Sequence, residues 1–180
     1  FEPGKFAQAQ KVEEGTTNII PVTDHDFQGG AWSAYGSATV TVTGGQADPF
    51  GGSNAYRIQT SGGTDVLKYY GSWGTSVSGT SYAHSVWVKC LTGTVRVFSL
   101  VGQFYRDITP TDGWVRVQLV GTGDGVVMIQ IQFRTLNVGD SLDFIVYRPQ
   151  IETKAYATSW TDSTRSPETL TIPTAGVLNP

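Results

Sequence analysis

Few side chains in this 180-residue chain are of a kind that could make or break a bond. There are two histidines, His25 and His84, and one cysteine, Cys90. His25 stands in "TDHDF" between Asp24 and Asp26. Those oxygen and nitrogen donors could hold a cation, but an Asp-rich turn ahead of an apolar anchor has the same composition. His84 lies on an alternating run with Tyr82 and Val86, the setting of a satisfied core or edge histidine. Cys90 follows Val86 and Val88 on that run, where a buried inert thiol is expected rather than a nucleophile. With one cysteine no internal disulfide forms. There is no G-x-S-x-G, no P-loop and no dinucleotide fingerprint. Asp107, Asp112, Asp124 and Asp140 stand in turn-like contexts that give Asp a structural task, so hydrolysis by paired carboxylates is the weaker hypothesis. No catalytic residue and no metal ligand is assigned.

The aromatic rings are more informative. They make up 12% of the chain and include five Trp. "GGAWSAYGS" sets Trp32 and Tyr35 among glycines and serines, "LKYYGSWGTS" groups Tyr69, Tyr70 and Trp73, and "GQFYRD" places Phe104 and Tyr105 between Gln103 and Arg106. A ring in such a loop either plugs the end of a β-sandwich or stands in water. An exposed ring suits a sugar, whose C–H face lies on it while nearby amides and guanidinium groups bond the hydroxyls. On this reading Trp73 and Tyr70 are stacking platforms, with Trp32 or Tyr105 as a second one. Gln103, Arg96 and Arg106 bond hydroxyls or an acidic substituent. The same enrichment in Trp, Tyr and Arg would suit a protein interface.

The elements that must position these groups are strands. Gly, Thr, Ser and Val abound and helix formers are scarce. Period-2 runs at 17–22, 37–44, 54–60, 65–71, 81–91, 94–101, 114–121, 126–134 and 141–148, separated by Gly, Asp, Asn and Thr, predict an all-β, jelly-roll β-sandwich of two antiparallel sheets with almost no helix. Residues 27–36 and 48–53 read as loops. The faces alternate: Val127, Ile129, Ile131 and Phe133 oppose Gln130, Gln132 and Arg134; Val95 and Val97 oppose Arg96 and Phe98; Val86 and Val88 oppose Trp87 and Lys89. The second faces mix Trp and Phe with Arg and Gln, where a plain solvent face would carry Lys, Glu and Thr. Pro149 is expected to end the last strand.

With 12 Lys and Arg against 15 Asp and Glu, the net charge is −3, which argues against a nucleic-acid surface. No stretch approaches the roughly 20 apolar residues of a membrane helix. "FEPGKFAQAQ" has no Met and no signal-peptide core, so the start reads as a cut end.

"KVEEGTTNIIP", "DF", "SVWVK", "GWVRVQL", "VYRPQIETKAYATSW" and "TRSPETLTIP" follow one another in that order. In this the chain resembles the jelly-roll carbohydrate-binding modules of bacteriophage tail and virion-associated proteins, over most of residues 10–175. The most specific pieces are "PQIE" followed by "ATSW", and "EEGTTN". The resemblance implies a non-catalytic module in an extracellular virion tail, with host-surface polysaccharide and other tail modules as partners and no cofactor. A structural or oligomerisation spacer, for example in a homotrimer, is the alternative. It further implies three parts: residues 1–16 lead in from a preceding segment, 17–160 form the module, and 161–180 are a linker and stub of a following module. Ile151, Tyr156 and Trp160 would pin the exit. Similar modules in glycosidases hold a structural Ca²⁺; here Gln28 stands where an acidic residue is usual after "DF", and Asp143 and Glu152 are the acidic residues of the last strand, so no Ca²⁺ site is assigned.

Overall fold

The computed structural model describes residues 15–167. Twelve strands are formed: β1 (Thr16–Thr17), β2 (Trp32–Ala34), β3 (Ala38–Gln46), β4 (Ala55–Gly62), β5 (Leu67–Thr75), β6 (Ser81–Thr92), β7 (Val95–Ser99), β8 (Phe104–Ile108), β9 (Val115–Thr122), β10 (Met128–Arg134), β11 (Leu142–Glu152) and β12 (Thr164–Arg165). Three 3₁₀ turns are the only helical elements among the described residues, and none is long and apolar enough to cross a membrane. One five-stranded sheet has the order β2-β5-β10-β7-β8 and the other β3-β4-β11-β6-β9, while β1 pairs with β12. All pairs are antiparallel. The jelly-roll sandwich read from the alternation is the fold observed.

The core is made of the apolar parities: Val95, Val97, Ile131 and Phe133 from the first sheet meet Val86, Val88, Phe144 and Val146 from the second. Phe133 and Phe144 bridge the sheets with ring centroids 4.8 Å apart. Burying such side chains contributes roughly 1.5–3 kcal/mol each. Phe27, Trp32, Tyr69 and Trp73 close one end. Phe27 is fully buried in a left-handed backbone (φ 57), and its carbonyl accepts the Tyr69 hydroxyl at 2.5 Å. Burial pushes that phenol up to about 12.

The structure departs from the sequence reading in several places. The run at 17–22 is a two-residue strand followed by a 3₁₀ turn at Val22–Asp24, and β2, β8 and β12 arise where no strand was expected. Asp107 lies on β8, not in a turn. Pro149 does not end the last strand: β11 runs on to Glu152 through a bulge between Tyr147 and Gln150. Proline, which lacks a ladder donor, is tolerated at such a bulge. Beyond it, Ile151 is fully buried, whereas Tyr156 is 49% exposed, with Lys154 Nζ 5.7 Å from its ring centroid.

The end segments meet in a polar clasp. Asn18 Oδ1 accepts the amides of Ile20 and Ile151 at 3.2 and 3.0 Å, and its Nδ2 donates to the carbonyls of Pro149 and Thr161 at 3.1 and 3.2 Å. The buried Glu152 carboxylate accepts the Thr16 hydroxyl at 2.5 Å and the Thr158 hydroxyl and amide at 2.6 and 2.9 Å. Asp143 lies nine positions earlier on β11, about 30 Å away at strand rise, and is bound at 2.8 and 2.6 Å by the Arg57 guanidinium. The positions suggested for Ca²⁺ therefore do not converge on a cation. The parts of residues 1–16 and 161–180 that precede residue 15 and follow residue 167 lie outside the described residues.

Candidate functional site

The outer face of the β2-β5-β10-β7-β8 sheet gathers the rings, amides and guanidinium groups. Register alone builds its central row: Ser33 pairs Tyr70, Tyr70 pairs Gln132, Gln132 pairs Phe98, and Phe98 pairs Tyr105. Four inter-strand steps of about 4.8 Å make that row about 19 Å long. Beside it run Arg134, Arg96 and Asp107, and on the other side Gln130 and Ser72.

The polar groups are fixed by one another. Arg134 Nε donates to Gln132 Oε1 (2.7 Å), Gln132 Nε2 to Gln130 Oε1 (2.6 Å), and Gln130 Nε2 to Ser72 Oγ (3.3 Å). Each amide is thereby held in one orientation, although Gln132 is only 3% exposed. The guanidinium groups lie over the rings: Arg134 is 3.8 Å from the Phe98 centroid and Arg96 3.9 Å from that of Tyr105. Arg96 also grips Asp107 bidentately at 2.7 and 2.8 Å, which raises its already high pKa. Burial lowers that of Arg134; the Asp65 charge opposes this and the Arg96 charge adds to it. The result is an amphipathic band whose donors and acceptors are already oriented, with Phe98 8% exposed beneath Arg134 and Tyr105 as its open ring.

Of the residues proposed from sequence, Tyr70, Tyr105 and Arg96 meet on this band. Tyr70 is half-buried with Tyr35 edge-on at 6.3 Å, and Tyr105 is 53% exposed. Trp32 does not stand in water: it is 5% exposed in the core, its Nε1 donating to the Asp24 carbonyl at 2.7 Å. Trp73 is partly buried on the inner parity of β5, edge-on to Trp32 at 5.1 Å, with Nε1 donating to Asp24 Oδ2 at 2.8 Å. Both indoles plug the sandwich, because neighbours on a strand face opposite ways and Tyr70 takes the outside. Arg106 pairs Val97 and so has the opposite parity from Tyr105; its charge acts on Asp112. Gln103 is exposed in the turn before β8 (φ 56). Gln130, Gln132, Arg134, Phe98 and Ser72 were not among the proposed residues, although the alternation of β7 and β10 already put four of them on the non-core parity.

The larger depressions lie elsewhere. One of about 390 Å³, lined by Thr39, Thr41, Gln59 and Asp143 on the second sheet, contains no ring. Another of about 340 Å³ lies beside Ser33, Val40 and Tyr69. The first offers no ring to stack on, and the rings that line the second, Trp32 and Tyr69, are 5% and 4% exposed, so the band with Tyr70 and Tyr105 is the stronger candidate. Among the described residues no His, Cys, Asp and Glu cluster as a metal site would require.

Neither a family model nor a curated protein matches the sequence. Several solved structures match by fold. The family 11 carbohydrate-binding module of the cellulosomal cellulase Lic26A-Cel5E of Clostridium thermocellum superposes with a TM-score of 0.52 at 16% identity, covering 82% of this chain and 99% of that one. The enzymatically active domain of tailspike protein 4 of bacteriophage CBA120 gives 0.50 at 14% identity, over 75% of this chain and 21% of that one. The CBM22-1 xylan-binding domain of Paenibacillus barcinonensis Xyn10C gives 0.48 at 18% identity, over 83% and 99%. At these identities the likeness is one of fold: the chain is a jelly-roll sandwich of the kind seen in carbohydrate-binding modules.

Proposed function

We propose that this domain is a non-catalytic carbohydrate-binding module of a bacteriophage tail or virion protein, and that it grips a host-surface glycan along the outer face of the β2-β5-β10-β7-β8 sheet. The observation that carries the reading is the row Ser33, Tyr70, Gln132, Phe98 and Tyr105, flanked by the hydrogen-bonded series from Arg134 to Ser72. Rings and guanidinium planes offer a surface for pyranose C–H faces, and the oriented amides offer hydrogen bonds to hydroxyls. The carboxylates weighed from the sequence for hydrolysis have structural partners: Asp107 with Arg96, Asp112 with Thr109, Asp124 with the amides of Val126 and Val127, and Asp140 with Asn137. The virion assignment rests on the sequence resemblance. Single-module affinity would be weak, and copies arrayed on a tail would add avidity.

A glycan array on the isolated domain, followed by calorimetry with the best polysaccharide, tests this. Binding that falls about tenfold in Tyr105→Ala, worth about 1.4 kcal/mol, supports the sheet face; no binding to any host polysaccharide removes the reading. The second reading, a spacer or oligomerisation unit, draws on Phe104, 53% exposed at the sheet edge. Light scattering separates the two: a stable trimer indifferent to sugars favours the spacer.

A further inference from the structure

Among the described residues three that are not glycine have a positive φ, and one is Arg148 (φ 51) in the β11 bulge. Glycine would take that conformation without strain, yet an arginine stands there. Its guanidinium carbon lies 4.5 Å from the ring centroid of Trp160, 4.8 Å from Phe50 and 4.9 Å from Tyr147. The guanidinium forms no ion pair or hydrogen bond with a described residue, and its Nε is buried without a partner. The indole Nε1 of Trp160 is buried and unpartnered in the same way. Strained backbone and unmatched donors in one place, held by packing, are a mark of a binding site rather than of a stabilising contact.

Arg148 and Trp160 both line a cleft of about 290 Å³ beside the β11 bulge, near the lower limit of roughly 300 Å³ for small-ligand pockets, their buried nitrogens lying beneath its wall. Its walls include Tyr56, Tyr147 and Trp160, and Asp26 and Asp162 supply carboxylates, with His25 Nδ1 3.9 Å from Asp162 Oδ1. The Asp162 side chain is 67% exposed. Phe50 stands beside it, 60% exposed on a loop pinned by Asp48, whose carboxylate accepts the amides of Phe50 at 2.9 Å and Gly52 at 3.1 Å. The mix of groups selects the ligand. An anion would meet the carboxylates, and a cation would meet Arg148. A ligand with adjacent hydroxyls donates to the carboxylates and accepts from the guanidinium, while its C–H face lies against the rings.

We propose that this cleft is a second saccharide site, remote from the sheet face, and that it takes a single neutral sugar residue or the end of a glycan chain. It goes beyond the sheet-face reading and is tested apart from it. The probe is a panel of neutral methyl glycosides (glucoside, galactoside, mannoside, rhamnoside and N-acetylglucosaminide) titrated into the ¹⁵N-labelled domain. Saturable shifts of the Trp160 indole N–H and the Asn54 amide are expected with at least one of them. Arg148→Gly, which suits the positive φ and should keep or raise the thermal midpoint, should weaken those shifts tenfold or more. Tyr105→Ala should leave them unchanged, and polysaccharide shifts at the Gln132 side-chain amide should survive Arg148→Gly. The proposal is overturned if no glycoside in the panel moves the Trp160 indole saturably, or if Arg148→Gly and Asp162→Asn both bind as the unaltered domain does.

Discussion

On the proposed reading, Gln132 serves packing and recognition together. It is nearly buried, yet its carbonyl accepts from Arg134 and its amino group donates to Gln130. Gln132→Leu keeps the volume but frees the Arg134 guanidinium to turn off the Phe98 ring and leaves Gln130 unaligned. Calorimetry should show glycan affinity falling five- to tenfold, the worth of a hydrogen bond of about 1 kcal/mol, with little change in the unfolding midpoint. His84 is the contrasting case, a residue with a purely internal role. It is 2% exposed, and Ser99 Oγ, which donates to the Val101 carbonyl at 2.9 Å, accepts from His84 Nδ1–H at 3.2 Å. Burial pushes its pKa from the ordinary 6.5 down to about 4. The folded protein then binds fewer protons than the unfolded chain between those values, so stability falls as pH drops from 6.5 and the loss is complete below 4. A shift of that size corresponds to about 3 kcal/mol. Urea titrations at pH 7 and pH 4 should show a larger loss for the unaltered protein than for His84→Leu by about that amount; equal losses would mean that the imidazole is not responsible.

Among the elements, β5 explains why the site was only half legible. The strand expected at 65–71 stops at Gly71, and the ring cluster "LKYYGSWGTS" around it is read by composition, which treats its rings alike. As a strand it has two faces: Tyr69, Gly71 and Trp73 turn inward, and Tyr70 and Ser72 turn outward. Gly71 is there to admit the indoles, since a Cβ on it would come within 2.2 Å of Trp73 Cη2 and 2.9 Å of Trp32 Cε3. Gly71→Ala should therefore cost about 1–3 kcal/mol by overpacking, read as a lower urea midpoint; an unchanged midpoint would mean that the two rings can part freely. The longer strands β6, β9 and β10 were legible because four or more alternations establish a parity. The three-residue β2 and the five-residue β8 offer too few. Their pairing comes from neighbours distant in sequence, and it is this pairing that sets Ser33 and Tyr105 at the two ends of the row. The bulge in β11 was hidden for a related reason: a proline looks like a stop unless the partner strand that skips it is known.

At the scale of the whole molecule, the most specific motifs of the resemblance build the clasp and not the ring-bearing sheet face. "EEGTTN" contributes Thr16 and Asn18, "PQIE" contributes Pro149, Gln150, Ile151 and Glu152, and "ATSW" contributes Thr158 and Trp160. Thr16 reaches Glu152, and Asn18 reaches Pro149 and Ile151, across more than 130 positions of sequence, while Gln150, Glu152 and Thr158 bond within the exit segment. Such a network restricts residue type at every member, because each buried donor or acceptor needs its counterpart, whereas a recognition surface is free to change with its ligand. The clasp also brings the ends of the described chain together: β1 pairs with β12, and a Cβ on Gly15 would lie 2.6 Å from Pro167 Cδ. Asn18 is the hinge pin, since it alone bonds backbone groups of three segments. Asn18→Ala strips partners from two amides and two carbonyls, at about 1–3 kcal/mol for each group left buried and unsatisfied; where water enters, the cost appears as local opening instead. Hydrogen exchange distinguishes these outcomes. In the unaltered domain the amides of Asn18 and Ile19, which donate to Ser163 and Ile151 at 2.6 and 2.8 Å, should open with one common free energy as a cooperative unit. In Asn18→Ala both should lose protection by the same factor, while Phe133 at the sandwich centre changes only by the global loss. If Asn18→Ala deprotects one end segment and not the other, the two ends are held independently and the domain has no clasp.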